Sequence, residues 1–80
     1  MMDFRSTFRY ATVRPATIIS KDGSKVDCTV RDVSTKGARL ELHGSEEIGE
    51  EFFLFIHGQR ERFRCCLIWR KGPVLGVQYM

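Results

Sequence analysis

Apolar and polar residues alternate with a period of two along most of this chain, the spacing of a β-strand that buries one face. The alternation starts at Ala16 and recurs in short stretches to the end of the sequence. No segment carries apolar residues at helical spacing over the length of an ordinary helix. The pattern therefore predicts an all-β chain.

About six strands are predicted, and short polar connections separate them. The stretches are 16–20, 26–31, 38–42, 52–56, 63–70 and 75–79. Connections this short are typical of antiparallel pairing. Because an open sheet of short strands would leave its edges exposed, we expect closure into a six-stranded antiparallel β-barrel.

One strand, 63–70, contains the single tryptophan of the chain. Trp69 has the parity of Phe63, Cys65 and Leu67, so it is predicted to pack in the core. Its alternative role is an exposed surface on which a base could stack.

Residues 1–14 lack clear alternation and are predicted to form an extended arm outside a barrel of residues 15–80. The net charge of the 80-residue chain is +3, and the arm carries +2 of it, from three arginines and one aspartate. An anionic partner would therefore be held by a local cluster rather than by a general field. A chain of this size forms one small domain, which predicts a stand-alone module.

Three cysteines, of which two are adjacent, make a poor disulfide framework, and their spacing does not suit zinc. Reduced thiols in a cytoplasmic protein are predicted instead. The longest uninterrupted apolar run, 52–56, is far too short to span a membrane.

Sequence signals of catalysis are absent. His43 and His57 fall in predicted loops without a second metal-type residue at ligand spacing, and the glutamates of 46–51 form a solvated acidic loop. We expect no enzyme activity, no metal and no cofactor.

Two short motifs carry candidate binding chemistry. Arg5 and Arg9 are four residues apart, so in an extended segment both point to one side, and each guanidinium suits a phosphate or a guanine edge. Asp32, Ser34 and Gly37 lie in a polar loop at 32–37. Each motif also has an alternative that involves no binding. The arginines would then be solvated side chains, and the loop would be a self-capped turn in which Gly37 supplies a positive φ.

An Arg-x-x-x-Arg arm followed by a strand, and then by a strand ending in Asp-x-Ser-x-x-Gly, resembles the PilZ domain family. The resemblance continues through 15–18, 31–40, 65–70 and 75–77, and so covers nearly the whole chain in order. It implies a bacterial receptor for the second messenger cyclic di-GMP, built on a six-stranded antiparallel barrel.

By this resemblance, Arg5 and Arg9 grip phosphates and guanine bases. Asp32, Ser34 and Gly37 line the far side of the pocket. In the family, the residue just before the first arginine influences whether one or two ligand molecules are bound. Here that residue is Phe4, which favours one bound molecule. Arg39, on the outward parity of its strand, is a further candidate ligand contact.

The arm is expected to become ordered over the ligand and to change a surface that a protein partner recognises. That partner would act in motility, exopolysaccharide or pilus control, and no DNA is expected. Two alternatives stay open: a PilZ-like adaptor that binds no ligand, and a small basic barrel for single-stranded RNA. The RNA would contact Arg60, Arg62, Arg64, Arg70 and Lys71.

Overall fold

The computed structural model describes the backbone of residues 10–80 and the side chains of residues 13–80. It contains six strands: β1 (Tyr10–Ser20), β2 (Lys25–Val33), β3 (Gly37–Leu42), β4 (Glu51–Ile56), β5 (Arg62–Lys71) and β6 (Val74–Tyr79). No helix occurs within residues 10–80. The predicted all-β class is confirmed.

The six strands form a closed antiparallel barrel in the order β1-β2-β3-β6-β5-β4, and β1 pairs with β4 to complete it. Closure leaves no sheet edge exposed, which is the reason it was predicted. The buried apolar core is formed by Ala16, Ile18, Cys28, Val30, Ala38, Leu40, Leu42, Phe52, Leu54, Ile56, Cys65, Leu75 and Val77. These are inward positions of the alternating pattern, so the barrel prediction is confirmed.

The first strand begins earlier than predicted. Residues 10–14, which the hydrophobic pattern placed in the arm, belong to β1, and Tyr10 pairs with Val33 of β2. A register irregularity between Ala11 and Arg14 interrupts the alternation, and Val13 is 73% exposed. Strand pairing depends on backbone hydrogen bonds, so it continues where the side-chain pattern fails.

The polar loop is shorter than predicted, because Asp32 and Val33 lie in β2 and Gly37 begins β3. Only residues 34–36 connect the two strands. The prediction of a positive φ at Gly37 is wrong: the positive-φ glycines of the described residues are Gly23, Gly58 and Gly72.

The core prediction for Trp69 is also wrong, since this side chain is 44% exposed. The β5–β6 register shifts between Leu67 and Trp69, so that one extra residue, Ile68, lies in β5. Such a β-bulge reverses the parity of every residue beyond it. Phe63, Cys65 and Leu67, which precede the bulge, contact the core as predicted.

All three cysteines are free thiols. Desolvation by burial raises the pKa of Cys28 and of Cys65 to about 12, so both stay protonated at physiological pH. Cys66 is half-buried. The part of the chain that the structure describes contains no helix long and apolar enough to cross a membrane.

Candidate functional site

Four residues that pair across neighbouring strands form a row on the outside of the barrel from β2 to β5. Asp32 pairs with Arg39, Arg39 pairs with Gly76, and Gly76 pairs with Trp69. Directly opposed residues of neighbouring strands share a face of the sheet. Two register irregularities create the row: one between Val30 and Asp32, and the bulge before Trp69.

Asp32 is the buried charged residue among those described, with 4% of its surface exposed. Arg39 Nε donates a hydrogen bond to Asp32 Oδ2 at 2.8 Å, and Arg39 Nη2 contacts the same oxygen. A buried carboxylate is costly unless it is paired, so this ion pair stabilises Asp32 in one orientation. Half of the Arg39 side chain remains exposed, which leaves part of the guanidinium accessible from solvent.

Ser34 closes the 34–36 connection on itself. Its Oγ accepts hydrogen bonds from the amides of Lys36 and Gly37, both at 3.2 Å, and donates to the Gly37 carbonyl oxygen at 3.3 Å. The Ser34 amide also donates to that carbonyl at 2.8 Å. The hydroxyl therefore forms the self-capped turn that the sequence allowed, and its bonds shape the loop. Its predicted contact with a ligand stays a prediction.

Gly37 is required by close packing rather than by its φ angle. A Cβ at this position would collide with the Val77 carbonyl oxygen and would lie 3.1 Å from Cα of Gln78. Both are backbone atoms of β6, which cannot move aside as a flexible side chain would. The absence of a side chain at Gly37 therefore lets β3 and β6 pair where the loop begins.

The indole of Trp69 lies across Gly76. A Cβ at Gly76 would overlap Nε1 and Cε2 of the ring and would lie 2.8 Å from Cδ1. Beside the indole runs a groove of about 360 Å³, lined by Ser34, Lys36, Gly37, Ala38, Ile68, Trp69, Gly76, Val77 and Gln78. An isolated strand glycine marks such a close approach, so Gly76 is the sequence signal from which the outward position of the Trp69 ring could have been inferred.

A second groove, of about 370 Å³, borders the other part of the row and is lined by Arg31, Asp32, Arg39, Glu41 and Val74. Arg31 Nε lies 3.6 Å from a Glu41 carboxylate oxygen on its rim. The outer surface from β2 to β5 therefore combines cations, an oriented carboxylate and an exposed indole.

The structure brings Asp32, Ser34, Gly37 and Arg39 together at one end of β2 and β3. Arg5, Arg9 and Phe4 lie outside the described residues, so their predicted contacts stay predictions. Tyr10, the first described residue, pairs with Val33, which precedes Ser34. The chain therefore enters the barrel beside the 34–36 connection.

Another groove, of about 920 Å³, lies where the 43–47 segment meets the β5–β6 turn. The arginine that lines it, Arg70, already makes hydrogen bonds within the protein. Its Nη1 donates to the Glu46 carbonyl oxygen at 2.7 Å, and its Nε donates to the Gly72 carbonyl oxygen at 2.9 Å. This groove lacks the oriented carboxylate and the indole of the row. Residues 10–80 hold no cluster of three or more His, Cys, Asp or Glu side chains that would suit a metal ion.

Comparison with known proteins adds one finding. A family model described as the PilZ domain matches residues 3–80. The matched range includes the arm motif, the Asp32–Gly37 segment and the strand that carries Trp69. No curated protein was found to match the chain.

Proposed function

This chain belongs to the PilZ domain family, whose members are binding and adaptor domains, and we propose that it is a non-catalytic receptor for cyclic di-GMP. The observation that supports the proposal most is the paired, buried Asp32 carboxylate. It lies in one row with Arg39 and with the exposed Trp69 indole. Each of these groups matches a different part of the ligand.

Cyclic di-GMP is a dianion that carries two guanines, so its receptor needs acceptors for guanine N–H groups, cations for phosphates and flat apolar surfaces. Asp32 would accept from guanine N1–H and N2–H₂, which are adjacent donors on one edge. Arg39 orients the carboxylate, but only 4% of Asp32 is exposed, so the side chains that cover it, Arg39 among them, must move aside for the guanine to reach its oxygens. The partly exposed Arg39 guanidinium would itself offer a donor to the ligand.

The remaining roles combine the family resemblance with the surface that the structure describes. Arg5 and Arg9 would contact phosphate and guanine from the arm. Ser34 shapes the connection and would also supply a second polar contact to the guanine, while Gly37 makes room for the ligand. Trp69 would provide a flat surface for a purine beside the groove at Gly37. Phe4 favours a single bound ligand.

Signalling would proceed without chemistry on the ligand. We infer that the arm becomes ordered over cyclic di-GMP and that the new surface is recognised by a protein partner in motility, exopolysaccharide or pilus control. A ligand that binds one state of the arm more tightly shifts the population toward that state. This proposal places the protein in the bacterial cytoplasm, where the messenger would be encountered.

Isothermal titration calorimetry of the purified chain with cyclic di-GMP tests the proposal. We expect saturable binding of one ligand per chain and a loss of about 10- to 100-fold in affinity in Arg9→Ala and in Asp32→Ala, the range for a charge-assisted contact. Arg60→Ala, which removes the same charge from an exposed turn, is the matched control and should bind normally.

The absence of heat at about 50 µM ligand would refute the receptor function, as would unchanged affinity in Arg9→Ala. Binding to oligouridine with a steep salt dependence, weakened by Arg60→Ala, would support the RNA-binding alternative instead. No arm-residue shift in an NMR titration with cyclic di-GMP would support the adaptor without a ligand.

A further inference from the structure

The outer face of β1, β4 and the first half of β5 carries an apolar centre that is separate from the Asp32–Trp69 row. In one rung, Ile19 pairs with Phe53 and Phe53 pairs with Arg64. In the next rung, Thr17 pairs with Phe55 and Phe55 pairs with Arg62. We call the set Ile19, Phe53, Phe55, Arg62 and Arg64 the β4 patch.

The centre of the β4 patch is Phe53, which is 40% exposed although it lies in the middle of a paired strand. Ile19 and Phe55 beside it are half-buried. Exposed aromatic residues flanked by arginines have the composition of the centre of a protein–protein interface rather than of an ordinary surface. The patch therefore has the character of a contact surface.

The arginines of the patch are arranged to receive anions. The Arg62 guanidinium carbon lies 5.4 Å from the centre of the Phe53 ring, a stacking distance that holds the side chain over the ring. A guanidinium held in this way is pre-organised, so less freedom is lost when its N–H groups bind a carboxylate.

The charges around the patch are unbalanced. Glu51 is shared by two cations: its Oε1 lies 3.5 Å from Arg64 Nη2 and 3.6 Å from Lys21 Nζ. Both cations are well exposed, so these salt bridges contribute little to stability, and each cation can readily bind another carboxylate instead. In the same two rungs Lys25 pairs with Ile19 and Asp27 pairs with Thr17. The cations Lys21, Lys25, Arg62 and Arg64 therefore outnumber the carboxylates Asp27 and Glu51 by four to two, and the local charge favours an acidic partner.

We propose that the β4 patch docks an acidic segment of a protein partner, with carboxylates on Arg62 and Arg64 and an apolar side chain over Ile19 and Phe53. A second copy of this chain is a poorer occupant, because a two-fold contact would place the same cations against each other. Single-stranded RNA is also a poorer occupant, because base stacking needs a whole open ring face, whereas an apolar side chain can pack on the 40% of Phe53 that Arg62 leaves exposed. The proposal does not depend on the binding of cyclic di-GMP.

The test is an NMR titration of the ligand-free full chain, labelled with ¹⁵N, with a synthetic peptide that carries two glutamates on each side of a Leu-Phe pair. We expect shifts at outward residues of β1, β4 and β5 and none in the 34–36 connection. Phe53→Ser and Arg62→Glu should each weaken binding by about tenfold or more. Val13→Ser, which removes another exposed apolar side chain, should bind the peptide normally.

The proposal is overturned by the absence of shifts at about 1 mM peptide, or by shifts that fall outside the patch. It is also overturned if oligouridine produces the shifts in place of the peptide, or if sedimentation shows a dimer that Phe53→Ser disperses. Calorimetry of the Phe53→Ser variant with cyclic di-GMP separates failure of this proposal from failure of the proposed receptor function. The variant should bind cyclic di-GMP like the wild type, because Phe53 does not line either groove of the row.

Discussion

A side chain at position 76 should displace the Trp69 indole from the candidate site. In Gly76→Ala the new Cβ would overlap Nε1 and Cε2 of the ring and would lie 2.8 Å from Cδ1. Carbon atoms in contact prefer about 3.5 to 4.0 Å, so the ring must retreat by roughly 1 Å or more. The backbone cannot retreat instead, because β6 is paired with β3 on one side and with β5 on the other.

Gly76→Ala should lower the free energy of unfolding only modestly, even though it displaces the indole. Overpacking costs about 1 to 3 kcal/mol in a closed core. Since 44% of Trp69 is already exposed, the indole has solvent to move into. We therefore expect a loss of unfolding free energy near the lower limit, about 1 kcal/mol.

Fluorescence measures this displacement directly, because Trp69 is the one tryptophan in the sequence. Gly76→Ala should shift the emission to longer wavelength and increase quenching by acrylamide, both in the absence of any ligand. Gly49→Ala is the matched control, since a Cβ at Gly49 meets no atom within 4 Å. Unchanged emission and quenching in Gly76→Ala would refute the proposed packing of the indole on this glycine.

The same variant connects the packing to ligand binding. If Trp69 forms a wall of the site, Gly76→Ala should weaken cyclic di-GMP binding in the wild-type background and should have no effect in a Trp69→Ala background. Such a double-mutant cycle isolates the coupling between two residues in contact. Equal losses in both backgrounds would show that the substitution acts through the backbone rather than through the indole.

Further predictions concern the loop, the ion pair and the thiols. Gly37→Ala should lower the free energy of unfolding in urea by about 1 to 3 kcal/mol, because its Cβ meets backbone atoms of β6, while Gly49→Ala should unfold like the wild type. Arg39→Met should destabilise the fold by about 1 to 3 kcal/mol, since it removes a partner of the buried Asp32, and the added substitution Asp32→Asn should recover part of the loss; no recovery would contradict the pairing argument. Titration of the native protein with a thiol reagent at pH 8 should find one reactive cysteine, Cys66, because the other two thiols are buried with a pKa of about 12; three fast thiols would contradict this burial.

Much of the barrel could be predicted from alternation because its strands bury one face and expose the other. Leu40 and Leu54 are fully buried at the inward parity assigned to them from the sequence. The acidic motif residue was also identified from the sequence, and Asp32 lies in β2 just before the turn that Ser34 forms with Gly37. The burial of its carboxylate and its pairing with Arg39 were not predicted, because cross-strand partners depend on register.

The sequence by itself determined the class of fold, the number of strands and the side of each unbroken strand that faces the core. A period of two is a local property of an extended chain, so neighbouring residues suffice to define it. The positions where the strands deviate from ideal pairing could be decided only by the tertiary structure. A bulge places one extra residue opposite a neighbouring strand, so its position depends on how two strands pair rather than on the pattern within one strand, and each bulge rotates the residues beyond it to the other face. Two such irregularities bring Asp32 onto the face of Arg39 and Trp69 onto Gly76, and the candidate site is formed by the row that results.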